Sequence, residues 1–316
     1  LCRCKMPPAA LAAGRKEVYD KGRATHEPYL FEGDEGLTHS SFVASEVSRF
    51  LRRPHARPFF CIGGFYAPHA PINPPPRFAE RFDPAKMPLP VLSEQETMAE
   101  RLQGVSDDGW RVAHAYYLAL VSHIDDCVGQ ILATLDECGL ADDTLVVFTS
   151  DHGEYLGDHG RIGKGMPGQD VITRVVLLMR YPGRFPAGKV VEDMVEAVDW
   201  TPTMLHYAAV QAPRCVQGRS LAAAIEGTDP EPRDDILIEH FVPHGRRDST
   251  VKTREHTYHA TSDGRELLFD RTRDPHEGLD VSDDPAQASA LSDLRRRTVL
   301  RLHRAAFNDT ERDAAY

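Results

Sequence analysis

A carboxylate and an imidazole stand side by side at Asp151-His152, directly after the apolar run TLVVFTS at 144–150. At the end of a strand the two can reach one divalent cation, and Gly153 lets the backbone turn away beneath them. Lys164 follows thirteen residues after Asp151 in the same glycine-rich stretch, DHGEYLGDHGRIGKG. Its ammonium could meet an anionic substrate oxygen or a departing alkoxide. His69, in APHAPINPPP, offers a general acid on a loop, because an imidazole exchanges protons near neutral pH. Taken singly, each has an ordinary alternative: an Asp that caps a turn beside a locally bonded His, a solvated Lys, a loop His.

These residues need elements to hold them. Thr38 caps a helix in which Val43, Val47, Phe50 and Leu51 recur at helical spacing before Pro54 stops it. PFFCIGGF, 58–65, reads as a buried strand, and five prolines between 68 and 76 then force a rigid loop around His69. A polar, helical stretch is expected around 92–104. Ala113, Tyr117, Leu120, Ile124, Val128, Ile131 and Leu135 mark the clearest amphipathic helix, closed by Gly139, and Asp125 and Asp126 on it read as structural rather than as ligands. Strand, helix and strand in that order predict a parallel, doubly covered sheet, with 144–150 and 174–183 as strands and the Asp151 loop at its carboxyl edge, where ligands bind in open α/β folds. VDWTPTMLHYAA, 198–209, reads as a helix capped by Thr201 with Pro202 at its first position. From about 210 the texture changes to short alternating strands and a charged helix around 286–305. The expected division is therefore a core over 1–210 and a small α+β subdomain over 211–316.

The 316 residues are 41% hydrophobic with a formal net charge of −11. That charge opposes nucleic acid and anionic membrane surfaces, so an anionic substrate requires a local cationic site. The six cysteines, at 2, 4, 61, 127, 138 and 215, form no disulfide framework or zinc-finger spacing, which favours a reducing, cytoplasmic setting; Cys127 and Cys138 read as buried thiols. No run of about 18 apolar residues is present, so no membrane span is expected. The opening LCRCKMPPAA has neither an initiator Met nor the order of a signal peptide, which suits a chain whose beginning lies upstream.

The segments PHAPINPP, TLVVFTSDHGEYLGDHG with GKG, RYPG, DWTPTML and ELLFDRTRDPHEG occur in an order and at intervals that resemble sulfatases of the alkaline phosphatase superfamily, over about 38–283. The resemblance implies an alkaline-phosphatase-like α/β fold, a mainly parallel sheet flanked by helices, with a smaller C-terminal antiparallel sheet and helix. It implies that Asp151 and His152 are metal ligands, usually for Ca2+, with Mn2+ or Mg2+ as alternatives. Lys164 then contacts the sulfate and its bridging oxygen, and His69 helps protonate the leaving group. The substrate class is a small-molecule or saccharide sulfate ester.

There are also departures. Such enzymes carry an upstream Cys-x-Pro-Ser-Arg or Cys-x-Ala-x-Arg motif, whose cysteine becomes formylglycine, and an earlier Asp pair that completes the metal site. Neither occurs here, and Cys2-Arg3-Cys4-Lys5-Met6 does not match. Met166, Pro167, Gln169 and Asp170 stand where relatives commonly have a Tyr-Glu-Glu-like run. The resemblance therefore implies the C-terminal part of a sulfatase whose nucleophile lies upstream. Two further readings stay open: a phosphonate monoester or phosphodiester hydrolase on the same scaffold, and a catalytically silent chain that binds a metal or a partner.

Overall fold

Thr38 accepts a hydrogen bond from Ser41 N and starts helix α1, His39–Leu51. Its stripe of small residues, Ser40, Ala44 and Ser48, is buried, while Val43 and Val47 on another face meet the segment 58–65, where a Cβ on Gly63 would stand 3.1 Å from Val47. In the computed structural model the described residues are 28–229, 231–241 and 245–306. Cys2, Cys4 and the rest of 1–27 lie outside them.

The described chain falls into two compact units. The first takes in the residues up to Pro90, then Met98–Thr144 and Leu156–Ile162; the second takes in Val91–Thr97, Leu145–Tyr155 and everything from Gly163 onward. Residue 210, where the sequence changes texture, lies within the second unit.

In the first unit, α1 and the one-turn helix α2, Pro76–Ala79, both pack on the long helix α3, Asp107–Glu137. Ser106 caps α3 by accepting from Gly109 N, and Gly139 ends it in a left-handed conformation, φ 66°. The helix starts six residues before the first residue of the expected stripe and buries Trp110, Ala113, Leu120, Ile124, Cys127 and Leu135. By length and composition α3 could cross a membrane, which the absence of a continuous apolar run did not predict. Its buried stripe against α1 is that of a core helix in its unit. Two expectations fail here. Segment 58–65 is extended but has no strand partner among the described residues, and Phe60 and Ile62 are 72% and 76% exposed. Phe59 reaches α1 and sits edge-on to Phe50 at 5.3 Å. The helix expected at 92–104 is a turn and a single 3-10 turn, Glu100–Leu102, because the stretch has no apolar stripe to bury.

In the second unit, β1 (Val146–Thr149) pairs with β2 (Leu177–Arg180). The pairing is antiparallel, Thr149 opposite Leu177, and every strand pair among the described residues is antiparallel, against the parallel pairing expected. The chain leaving Thr149 re-enters the ladder at the same end, through the four-residue helix α4, Asp170–Thr173, so β2 runs back along β1. Helix α5, Trp200–Tyr207, is led in by a 3-10 turn with a Glu196–Asp199 capping box, and Thr201 and Pro202 lie inside it rather than at its cap. After the short α6, Ala222–Glu226, come the strands β3 (Ile236–Phe241), β4 (Arg247–Lys252), β5 (His256–Thr261) and β6 (Glu266–Asp270), an antiparallel meander in sequence order. The closing helix α7, Ala288–Ala306, buries Leu291 and Leu294 on Val251, Tyr258 and Leu268, one face of that sheet. The other face is polar and also buried: Thr250, Lys252, Thr257 and His259.

Candidate active site

The turn after β1 fixes the chemistry of His152. Ser150 Oγ donates to His152 O at 3.0 Å, and Asp151 Oδ1 accepts from His152 N at 2.9 Å. His152 Nδ1 lies 2.7 Å from Gly153 O. A carbonyl can only accept, so the ring proton sits on Nδ1 and the lone pair on Nε2. That nitrogen is 3.0 Å from Lys164 Nζ, which donates to it, and 3.4 Å from Asp151 Oδ2. Asp151 is widely exposed, its side chain 83% accessible, and His152 is half-buried. Three of the four predicted site residues therefore meet in the second unit. His69 belongs to the first.

Gly153 explains how the turn is held. Its N–H donates to Ile172 O at 2.7 Å, and a Cβ on it would stand 1.9 Å from Val171 O. Only glycine permits this approach to α4. Tyr155, fully buried, donates through its hydroxyl to Gln169 Oε1 at 2.8 Å, and its N–H donates to Gly163 O beside Lys164. Both arms of the loop thus rest on 169–173.

That platform is fastened to the polar face of the meander. Lys252 Nζ meets Asp170 Oδ1 at 2.5 Å and Glu277 Oε1 at 3.1 Å. Arg271 donates to Asp170 Oδ2 at 2.6 Å, and its Nε lies 3.3 Å from Glu277 Oε1, in ion-pair range but outside hydrogen-bond geometry. Burial on its own would raise the Asp170 carboxyl; Lys252 and Arg271 outweigh it and hold the group below the usual carboxylate range. Sequence reading had Gln169 and Asp170 only as departures and missed Lys252, Arg271 and Glu277. The signal available was DPHEG, whose Asp274 carboxylate folds the turn by accepting from Gly278 N and Leu279 N.

In the first unit His69 is exposed between the cis peptides Ala67-Pro68 and Ala70-Pro71. Its Nδ1 donates to Ala70 O at 2.8 Å, which leaves the lone pair on Nε2, and its ring lies 4.8 Å from that of Tyr66. Of the two acids on α3, Asp125 is exposed and Asp126 pairs with Arg77 at 3.0 Å.

Asp151 Oδ2 and His152 Nε2 suit one cation: their 3.4 Å separation is one that two atoms of a single coordination sphere can span. Among the described residues no group of three or more His, Cys, Asp or Glu side chains gathers for a metal, so the pair offers two ligands.

A family model described as Sulfatase matches residues 12–210. The chain belongs to the sulfatase family. A second model, described as N-sulphoglucosamine sulphohydrolase, C-terminal, matches 157–304. The arylsulfatase of Clostridium perfringens is 28% identical over 283 residues, 85% of this chain and 59% of that protein. The multifunctional alkaline phosphatase superfamily protein PehA of Trinickia caryophylli is 29% identical over 302 residues, 82% of this chain and 58% of that protein. The chain thus spans less than two thirds of the length of either relative. Among solved structures, the phosphonate monoester hydrolase of Agrobacterium radiobacter superposes with a TM-score of 0.81 at 23% identity, over 95% of this chain and 70% of that one. The fold is the alkaline-phosphatase-like α/β fold that the sulfatase motifs imply.

Proposed function

We propose that this chain carries the second metal-ligand pair and the proton-handling groups of a sulfuric ester hydrolase. The observation that supports the reading best is that Lys164 Nζ lies 3.0 Å and Asp151 Oδ2 3.4 Å from His152 Nε2, in a member of this family. The substrate class is a small-molecule or saccharide sulfate ester, and the match of 157–304 to an N-sulphoglucosamine sulphohydrolase model favours the saccharide. A net charge of −11 argues against nucleic acid or an anionic membrane as partner.

A divalent cation held by Asp151 and His152 would neutralise charge on the sulfuryl oxygens. Calcium is the ion that the resemblance implies, and the imidazole nitrogen in the donor set extends the choice to Mn2+. Lys164 is an exposed ammonium on a glycine-flanked loop, free to swing from His152 to the bridging oxygen as charge develops there. His69 has its Nδ1 engaged by Ala70 O, so Nε2 is the nitrogen that takes up a proton and, from the resulting imidazolium, would deliver it to the leaving alkoxide. The nucleophile, a formylglycine by family resemblance, is assigned to a segment upstream of Leu1.

A second reading, a phosphonate monoester or phosphodiester hydrolase on the same scaffold, is supported by the fold shared with the phosphonate monoester hydrolase of Agrobacterium radiobacter. The test is the reading frame upstream of Leu1, followed by assays of the longer protein on aryl sulfate and aryl phosphonate with Ca2+ or Mn2+. A Cys-x-Pro-Ser-Arg or Cys-x-Ala-x-Arg motif, with sulfate turnover lost in Asp151→Ala, supports the proposal. Phosphonate turnover alone moves the assignment to the second reading. Neither motif nor turnover would leave the silent, binding-only chain.

A further inference from the structure

The platform under the site is held by charge rather than by apolar packing. Lys252 is 2% exposed and Glu277 fully buried, in a four-membered cluster with Asp170 and Arg271 whose formal charges cancel. Glu277 is bound from several sides: Thr257 Oγ1 and Asp170 N donate to its carboxylate, and Gln169 Nε2 donates to its carbonyl at 3.1 Å. It is also a non-glycine residue at φ 57°, a conformation that persists only where the surroundings over-determine it. From this cluster two routes lead to the site, one along the backbone of α4 and one through hydrogen bonds. One runs from Asp170, through helix α4 and Ile172 O, to Gly153 N beside His152. The other runs from Glu277 through Gln169 and Tyr155 to Gly163 O beside Lys164.

We propose that Lys252, Arg271 and Glu277, acting through Asp170 and Gln169, are positioning residues that set the spacing between His152 Nε2 and Lys164 Nζ. The inference rests on the reading of Asp151, His152 and Lys164 as the site. A second buried ion cluster in the same unit supplies the control: Arg233 meets Asp199 and Glu196, whose carboxylates also accept from Arg219 N, Leu237 N and Arg301.

The test uses the 316-residue chain and two readouts, the long-range 1H–15N spectrum of the His152 ring, assigned with His152→Gln, and Mn2+ affinity by calorimetry. Glu277→Gln and Lys252→Met should move the Nε2 resonance toward its position in Lys164→Met and weaken Mn2+ binding roughly tenfold, the scale found when groups that orient metal ligands are removed. Arg233→Met should lower the melting temperature while leaving both readouts unmoved. The proposal is overturned if folded Glu277→Gln and Lys252→Met leave the His152 signal in place, or if Arg233→Met moves it equally. If either cluster variant fails to fold, Asp170→Asn, which keeps the shape of the side chain, is judged by the same criteria. A wild-type chain that binds no Mn2+ would count against the metal pair alone, since the His152 spectrum judges the positioning without metal.

Discussion

Gly153→Ala separates the loop's architecture from its chemistry, because it changes no charge, no ligand and no proton donor. The added Cβ would lie 1.9 Å from Val171 O, 3.0 Å from Val171 C and 3.2 Å from Ile172 Cα, all main-chain atoms that no rotamer change can move. An ordinary C···O contact is about 3.3 Å, so α4 or the Asp151 turn must retreat by about 1.4 Å. That retreat stretches the 2.7 Å bond from Gly153 N to Ile172 O beyond hydrogen-bond range. Leaving those groups unpaired costs about 1–3 kcal/mol. With the strain on a platform pinned by Asp170, the total is on the order of 3 kcal/mol. For a chain of this size the melting temperature should fall by roughly 4–5 °C. Gly218→Ala is the matched control, since its Cβ would lie 2.1 Å from Val198 O, away from the site turn. Both variants should melt early by calorimetry, but only Gly153→Ala should move the His152 ring signals. A Gly153→Ala chain that melts within about 2 °C of wild type would refute the steric reasoning.

Other outcomes follow from the same structure. Burial pushes His123 below its ordinary value, with Glu35 and Asp126 partly opposing, so the unfolded chain binds its proton first. Stability from this group is complete above about pH 6.5 and lost as pH falls below it, and His123→Gln should reduce the fall in urea midpoint between about pH 7 and 5; an equal fall in both proteins would exclude it as the cause. In the longer protein Lys164→Met should lower kcat and kcat/KM together, because it removes an interaction made in the transition state, and an unchanged kcat would return Lys164 to a solvated surface role. The chain 1–316 alone should turn over neither aryl sulfate nor aryl phosphonate above background, and turnover abolished by Asp151→Ala would mean that these residues hold an unrecognised nucleophile.

The elements that were legible in the sequence are those whose burial pattern is local. Thr38 as the cap of α1, the α3 stripe and the alternation of β3 to β6 each declare themselves within a dozen residues, whereas α1 buries Ser40, Ala44 and Ser48 rather than the expected Val43, Val47 and Phe50. The pairing of β1 with β2 is set by where the intervening chain returns, which periodicity does not encode. Thr201 has the right residue type for a cap, yet Glu196 and Asp199 reach the helix start first and make the capping box. That Asp151, His152 and Lys164 share one loop was legible from type and spacing, whereas the orientation of the imidazole depends on a carbonyl one residue away. Polarity alone does not tell which face of the meander is buried. Thr250, Lys252, Thr257 and His259 alternate with Val251 and Tyr258 as a solvent face would, yet they are buried.

The composition of the site loop explains why that face is polar. Residues 150–170 are rich in glycine and charge and offer little apolar surface, so hydrophobic burial cannot hold them in one place. Directional bonds can, and inside a protein they are strong where every partner is present. Replacing buried charges with apolar side chains often stabilises a fold, whereas removing one partner of a buried pair is severe. A platform of two cations and two carboxylates therefore trades some stability for geometry, since Asp170 has one position in which it meets both Lys252 and Arg271. The loop that benefits carries an exposed ammonium 3.0 Å from an imidazole lone pair, in a chain of net charge −11. On the proposed reading an anionic ester meets that ammonium, and the spacing of those two groups is the quantity that the buried charges protect.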